Sequence, residues 1–164
     1  MRIGCWIFLP ALAATLVVQG CAPQMVKTVE IGNPRAVMRV LIASESSDFK
    51  QAVIEKVVAG YDQDSLYFKI TDLQNLADET ASSYAAVMII NSCVAWQLNP
   101  KANAFIRQAD TLERVILLTT AGDQDWQAGV AGVDAITAAS LPADIERIAD
   151  QLKAKLGPLI HAAE

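Results

Sequence analysis

Histidine and cysteine, the commonest side chains in nucleophilic and zinc chemistry, are scarce in this sequence. There is one histidine, His161, almost at the C-terminus, and there are three cysteines, Cys5, Cys21 and Cys93, far apart along the chain. Cysteines and histidine so few and so scattered remove the usual zinc ligand sets, and the Ser-His-Asp and Cys-His hydrolase templates go with them, since these need a histidine beside the nucleophile. Hydroxyls and flat rings remain. Ser44, Ser46 and Ser47 stand with Glu45 and Asp48 in one short turn. Ser92, Cys93 and Trp96 occupy a second, and Gly122 and Trp126 a third. Serines directly before an apolar helical run accept hydrogen bonds from the helix's first N–H groups, and Asp48 complements its dipole.

The elements that must position these turns follow from hydropathy. At 164 residues the chain is one domain by length. Hydrophobic residues make up 53% and charged ones 19%, which is too apolar for a disordered chain. The formal charge is −5, and no lysine or arginine cluster exists to meet phosphates, so a nucleic-acid binder is excluded. Residues 36–43, 65–73, 85–91, 114–120 and 133–137 are β-branched or apolar runs that read as strands. Phe49, Val53, Ile54, Val57 and Val58 mark a helix closing at Gly60. Phe105 and Ile106 mark a short helix over 101–109. Ile145, Ile148, Leu152 and Leu156 mark an amphipathic closing helix. A polar stretch around Leu76 predicts one irregular helical turn. Strand and helix alternate, which predicts a parallel sheet covered by helices on both faces. Ligands in such sheets sit beyond the carboxyl ends of the strands, where the three turns above fall.

The start of the chain carries a different message. Arg2 precedes residues 3–18, which hold no charge. Sixteen residues fit the apolar core of a signal peptide better than a span of about 20. The run ends Val17-Val18-Gln19-Gly20-Cys21-Ala22, which resembles a bacterial lipobox: aliphatic Val18, small Gly20, then the cysteine. The resemblance implies that Cys21 takes up diacylglycerol, that residues 1–20 are removed, and that the membrane is a partner through the lipid. Ala22 implies outer-membrane sorting, facing the periplasm. Residues 21–35 read as the lipidated N-terminus and tether, and 36–161 as the domain. Cys93 is then the one thiol left, with no disulfide partner.

Within the domain, Ala86-Val87-Met88-Ile89-Ile90-Asn91-Ser92-Cys93-Val94-Ala95-Trp96, followed by Asn99-Pro100-Lys101, is similar to the third strand, aromatic loop and helix of the flavodoxin family. The run from Arg114 through Gly122 resembles that family's fourth strand and loop. The resemblance covers 37–156 by element order. It implies a flavodoxin-like α/β three-layer sandwich with five parallel strands in the order 2-1-3-4-5 and reduced second and fourth helices. It implies FMN as cofactor, with Ser44, Ser46 and Ser47 at the phosphate, Ser92 and Gly122 in the ring loops, and Trp96 and Trp126 stacking on the ring. Ser47 replaces the usual glycine, Phe49 the last hydroxyl, and Glu45 and Asp48 add carboxylates near the anion. The run from Asp134 to Ser140 resembles a motif that accepts covalent FMN on Ser140; a last strand and a helix cap describe the same residues. Two functions are expected: an FMN redox module with a redox partner in the envelope, or a flavin-free module binding an envelope component. No metal is expected.

Overall fold

The computed structural model describes residues 24–62, 64–123 and 125–161. The expected signal segment and Cys21 lie outside them.

Alternation at period two builds the sheet. In β2 (Met38–Ser44), Val40 and Ile42 turn to one face while Leu41 and Ala43 turn to the other. The same division runs through β4 (Ala86–Ser92), where Met88 and Ile90 oppose Val87 and Ile89. It recurs in β5 (Val115–Thr120), where Ile116 and Leu118 oppose Val115 and Leu117. Strands apolar on both faces must be covered on both, as parallel sheets are. On one side α1 (Asp48–Val58) and the closing helix α3 (Ile145–His161) lie together over the first of these faces. There α1 contributes Phe49, Val53 and Val57, and α3 contributes Ile148, Leu152 and Leu156. The opposite face is covered more thinly. It carries α2 (Pro100–Gln108), with Phe105 and Ile106 inward, and a 3₁₀ segment (Leu73–Asp78) that buries Leu73 and Leu76. The described residues between β5 and the next strand form no helix, and Ala128, Val130 and Val133 pack there instead.

The sheet has six strands, not five. Adding β1 (Val29–Gly32), β3 (Leu66–Asp72) and β6 (Asp134–Ala138), its order is β1-β3-β2-β4-β5-β6. The five expected strands are parallel to one another, in the succession β3-β2-β4-β5-β6. β1 pairs antiparallel with β3, Val29 opposite Ile70 and Gly32 opposite Tyr67, so the sheet is mixed. The expected 2-1-3-4-5 order is therefore not that of the whole sheet, and the expected tether is partly structural. Edge pairing is available to so short a segment because β3 offers an open row of backbone groups.

Because β1 runs backwards, the chain enters the domain at the carboxyl ends of the parallel strands. Asp72 fixes that entry: its Oδ2 accepts from Val26 N at 2.9 Å, while its Oδ1 accepts from Gln74 N at 2.9 Å and starts the 3₁₀ segment. Thr28 and Thr71 hydroxyls meet at 2.9 Å beside it. Replacing Asp72→Ala leaves both N–H groups without their acceptor, which costs about 1–3 kcal/mol. Urea unfolding should show that loss, and trypsin should cut after Lys27 faster in the variant than in the parent. An unchanged cleavage rate at Lys27 would contradict the role given to Asp72.

Candidate functional site

Seven polar or charged residues are buried among the described residues: Ser44, Lys50, Thr71, Asp72, Asn91, Thr119 and Thr120. Six sit in the last two positions of a strand, and Lys50 lies in the first turn of α1, so the polar interior is concentrated at the carboxyl end of the sheet. A buried polar group is costly unless hydrogen-bonded, and here each buried side-chain polar atom has a partner.

Lys50 is the centre of this region. Its side chain is only 3% exposed, and its Nζ donates to Glu45 Oε2 at 2.5 Å and to Ser92 Oγ at 2.6 Å. Ser92 Oγ donates in turn to the same Glu45 oxygen at 2.6 Å, and Asn99 Nδ2 donates to Glu45 Oε1 at 2.7 Å. Asn91 holds Asn99 from below: its Oδ1 accepts from Asn99 N at 3.3 Å, and its Nδ2 donates to Leu118 O and Thr119 Oγ1. The loop after β2, the end of β4 and the start of α2 are thus joined through one carboxylate. Burial disfavours ionisation of Glu45. The hydrogen bonds from Lys50, Ser92 and Asn99, with the charge of Lys50, outweigh it and hold the carboxyl below the usual range.

The predicted phosphate residues divide. Ser44 is fully buried and donates to the carbonyl of Glu45 at 2.9 Å. Ser47 caps α1, accepting from Lys50 N at 3.1 Å, and both Ser46 and Ser47 are exposed. Glu45 and Asp48, expected together near the anion, separate: Glu45 is neutralised by Lys50, while Asp48 stands in solvent at the helix start. Ser44, Ser46 and Ser47 line a groove of about 420 Å³ between α1 and the entering segment, with Met25, Ile54 and Ile70 among its walls.

The ring loops hold the tryptophans in different ways. Val94 and Gln97 exchange two backbone hydrogen bonds of 3.0 Å, closing a two-residue turn. Its central residues, Ala95 at φ 50° and Trp96 at φ 63°, both adopt the left-handed conformation that such turns normally assign to Asn-Gly. The turn leaves Trp96 68% exposed. Trp126 is half-buried, in a loop where Asp123 O receives Trp126 N at 3.4 Å. Gly122 has open space around its absent Cβ, so no close approach requires a glycine there. Neither tryptophan lines the groove beside the serines. Ser140 is exposed past the end of β6. Cys93 is half-buried, its N–H bonded to Thr120 O.

Sequence reasoning missed Lys50, Asn91 and Asn99. Lys50 had a signal: with Val53, Ile54 and Val57 it falls at the i, i+3, i+4 and i+7 spacing of the apolar stripe, where a lysine needs a buried partner.

Glu45→Gln removes the charge that balances a buried ammonium, and should destabilise the fold by about 3 kcal/mol, the lower end for breaking a buried pair. The sign with pH follows from the lowered carboxyl. Its contribution is complete above the ordinary value of 4.5 and is lost as pH falls through the lower folded value. Denaturant melts at neutral pH and below pH 4 should show the gap between parent and Glu45→Gln closing on acidification. A gap that stays constant would rule out an ionised Glu45.

No family model matches the sequence, and no curated protein matches it. Solved structures do. One archaeal flavodoxin superposes with a TM-score of 0.52 at 11% identity, over 74% of this chain and 99% of that one. An oxidoreductase from Corynebacterium diphtheriae gives 0.50 at 15%, over 76% and 98%. The flavodiiron core Flv1 of Synechocystis gives 0.54 at 10%, over 79% of this chain and 37% of that longer one. Identities this low leave a likeness of backbone alone, and the backbone is flavodoxin-like.

Proposed function

We propose that the protein is a redox module that binds FMN across the loops following β2, β4 and β5, and that a lipid on Cys21 tethers it to the cell envelope. The observation that carries the first part is the turn around Trp96. A tryptophan in a left-handed conformation, two-thirds exposed at the end of a central strand, is held out where a planar ring would lie. A flavodoxin and an oxidoreductase share the fold, and ligands in such sheets lie beyond the carboxyl ends of the strands, which supports this reading.

The residues present fit the flavin in most of its length. Exposed Ser46 and Ser47 and the first turn of α1 offer a hydroxyl and N–H seat for the phosphate. Glu45 does not repel it as an unpaired carboxylate would, because Lys50 balances its charge. Trp96 would supply the stacking face for the ring, and the loop of Gly122 and Trp126 would bound it from the end of β5. Bound FMN would supply the electron transfer; this chain's side chains bind it, orient it and limit water at its ring.

A second reading, a flavin-free module that binds an envelope component, is favoured by one observation: Glu45 already takes the donors of Lys50, Ser92 and Asn99. An FMN titration of the purified protein separates the two. On the flavin reading, Trp96→Ala weakens FMN by about 1–3 kcal/mol, the scale of aromatic stacking on a planar base, and leaves the melting temperature nearly unchanged. Protein that is colourless and does not take up added FMN supports the second reading.

For the tether, the support is the sequence itself, in which Cys21 follows a signal-like segment. Cys21→Ser should abolish incorporation of labelled palmitate in cells, since the acylation needs a thiol. Label entering the Cys21→Ser protein would remove the lipid from the account.

A further inference from the structure

Exposed apolar side chains are distributed unevenly between the two ends of this domain. Among the described residues, six large hydrophobic side chains are exposed: Met25, Val29, Val37, Val94, Trp96 and Leu141. Val37, just before β2, stands at the amino end of the parallel strands. The other five stand at the carboxyl end. Met25 and Val29 lie beside the end of β3, Val94 and Trp96 beyond β4, and Leu141 three residues past the end of β6. With Trp96 set aside for the flavin ring, four of the remaining five still cluster there, from one edge of the sheet to the other. Apolar side chains spaced across a whole end of the domain suit a flat partner better than a small ligand.

The chain enters at that same end. Val26 is bonded to Asp72, and Thr28 to Thr71, so the segment from Gln24 onward is pinned to the carboxyl ends of the strands. Only three residue steps separate Gln24 from Cys21, a reach of about 10 Å at full extension.

We propose that the carboxyl end of the sheet rests on the lipid bilayer, with Met25, Val94 and Leu141 at the headgroup layer, so that the candidate flavin site opens toward the membrane. This rests on the lipid-anchor reading. The acyl chains supply the attachment; once they are inserted, contact by the apolar patch is an intramolecular event at high effective concentration and sets orientation. Charge selects the kind of surface. Exposed Asp48, Asp123 and Asp125 at this end outnumber exposed Lys27 and Lys101, and Glu45 is neutralised, so a zwitterionic surface fits and anionic lipid adds no attraction.

The test places a nitroxide at either end of the domain. Acylated protein carrying Cys93→Ser with either Leu141→Cys or Val37→Cys is purified from membranes, labelled, and reconstituted into phosphatidylcholine vesicles. Collision of the label with a water-soluble nickel complex and with oxygen is then compared. On reconstitution the label at 141 should lose nickel accessibility several-fold and gain oxygen accessibility, while the label at 37 stays as accessible to nickel as before. Val94→Cys should behave like Leu141→Cys, so one poorly folded variant does not decide the outcome. Equal nickel accessibility at 141, 94 and 37, in protein that floats with the vesicles, overturns the orientation and leaves the tether standing; an end that docks on a protein gives this result, because the vesicles hold none. Cys21 found unacylated by mass spectrometry, in protein that does not float, overturns the tether and this orientation with it.

Discussion

A lysine ammonium buried to 3% exposure must have a counter-charge in contact, and Lys50 organises the end of this domain around that requirement. Glu45 supplies the charge from the loop after β2. Ser92 and Asn99 complete the carboxylate's hydrogen bonds from the end of β4 and the start of α2. The loop after β2 and both ends of the loop after β4 are tied at one point, so the turn carrying Trp96, between Ser92 and Asn99, is anchored on both sides. Removing the charge of Glu45 leaves a buried ammonium alone, which is why this pair matters more to the loops than a surface ion pair such as Lys56–Glu146.

The same arrangement separates what holds the fold from what remains free to meet a ligand. Ser44 and Ser92 face inward, engaged with Glu45 and Lys50, whereas Ser46, Ser47 and Trp96 face solvent. On the proposed reading the inner group sets the electrostatics and the outer group makes the contacts. Glu45 and Asp48 are three residues apart in sequence, yet one is a neutralised structural group and the other a solvated helix-start carboxylate.

Much of the sheet was legible in the sequence because its strands are apolar on both faces. Runs such as Ala86 to Ile90 and Val115 to Leu118 have no other stable use in a domain this size. β1 was not legible. It is four residues long, carries Glu30 and Gly32, exposes most of its surface, and exists through pairing with β3. The second face keeps a thinner layer because Gly122, Gly129 and Gly132 interrupt the stretch between β5 and β6, and Gly129 and Gly132 hold left-handed conformations that no helix continues. At the site, the loops and their residue types were readable, but the pairing of Glu45 with Lys50 was not. It depends on a helix residue turning inward toward a carboxylate five positions earlier, and local periodicity says only that Lys50 lies on the apolar stripe.

A flavodoxin-like backbone carries many unrelated functions, so the account depends on whether a flavin occupies the outer group of residues while the inner group stays intact. Backbone amide and indole NMR signals followed during addition of FMN report on both at once. The account predicts shifts at Ser46, Ser47, Trp96, Gly122 and Trp126, with the amides of Glu45 and Lys50 moving little because their pairing is retained. Shifts confined to other parts of the domain, or none at saturating FMN, would contradict it.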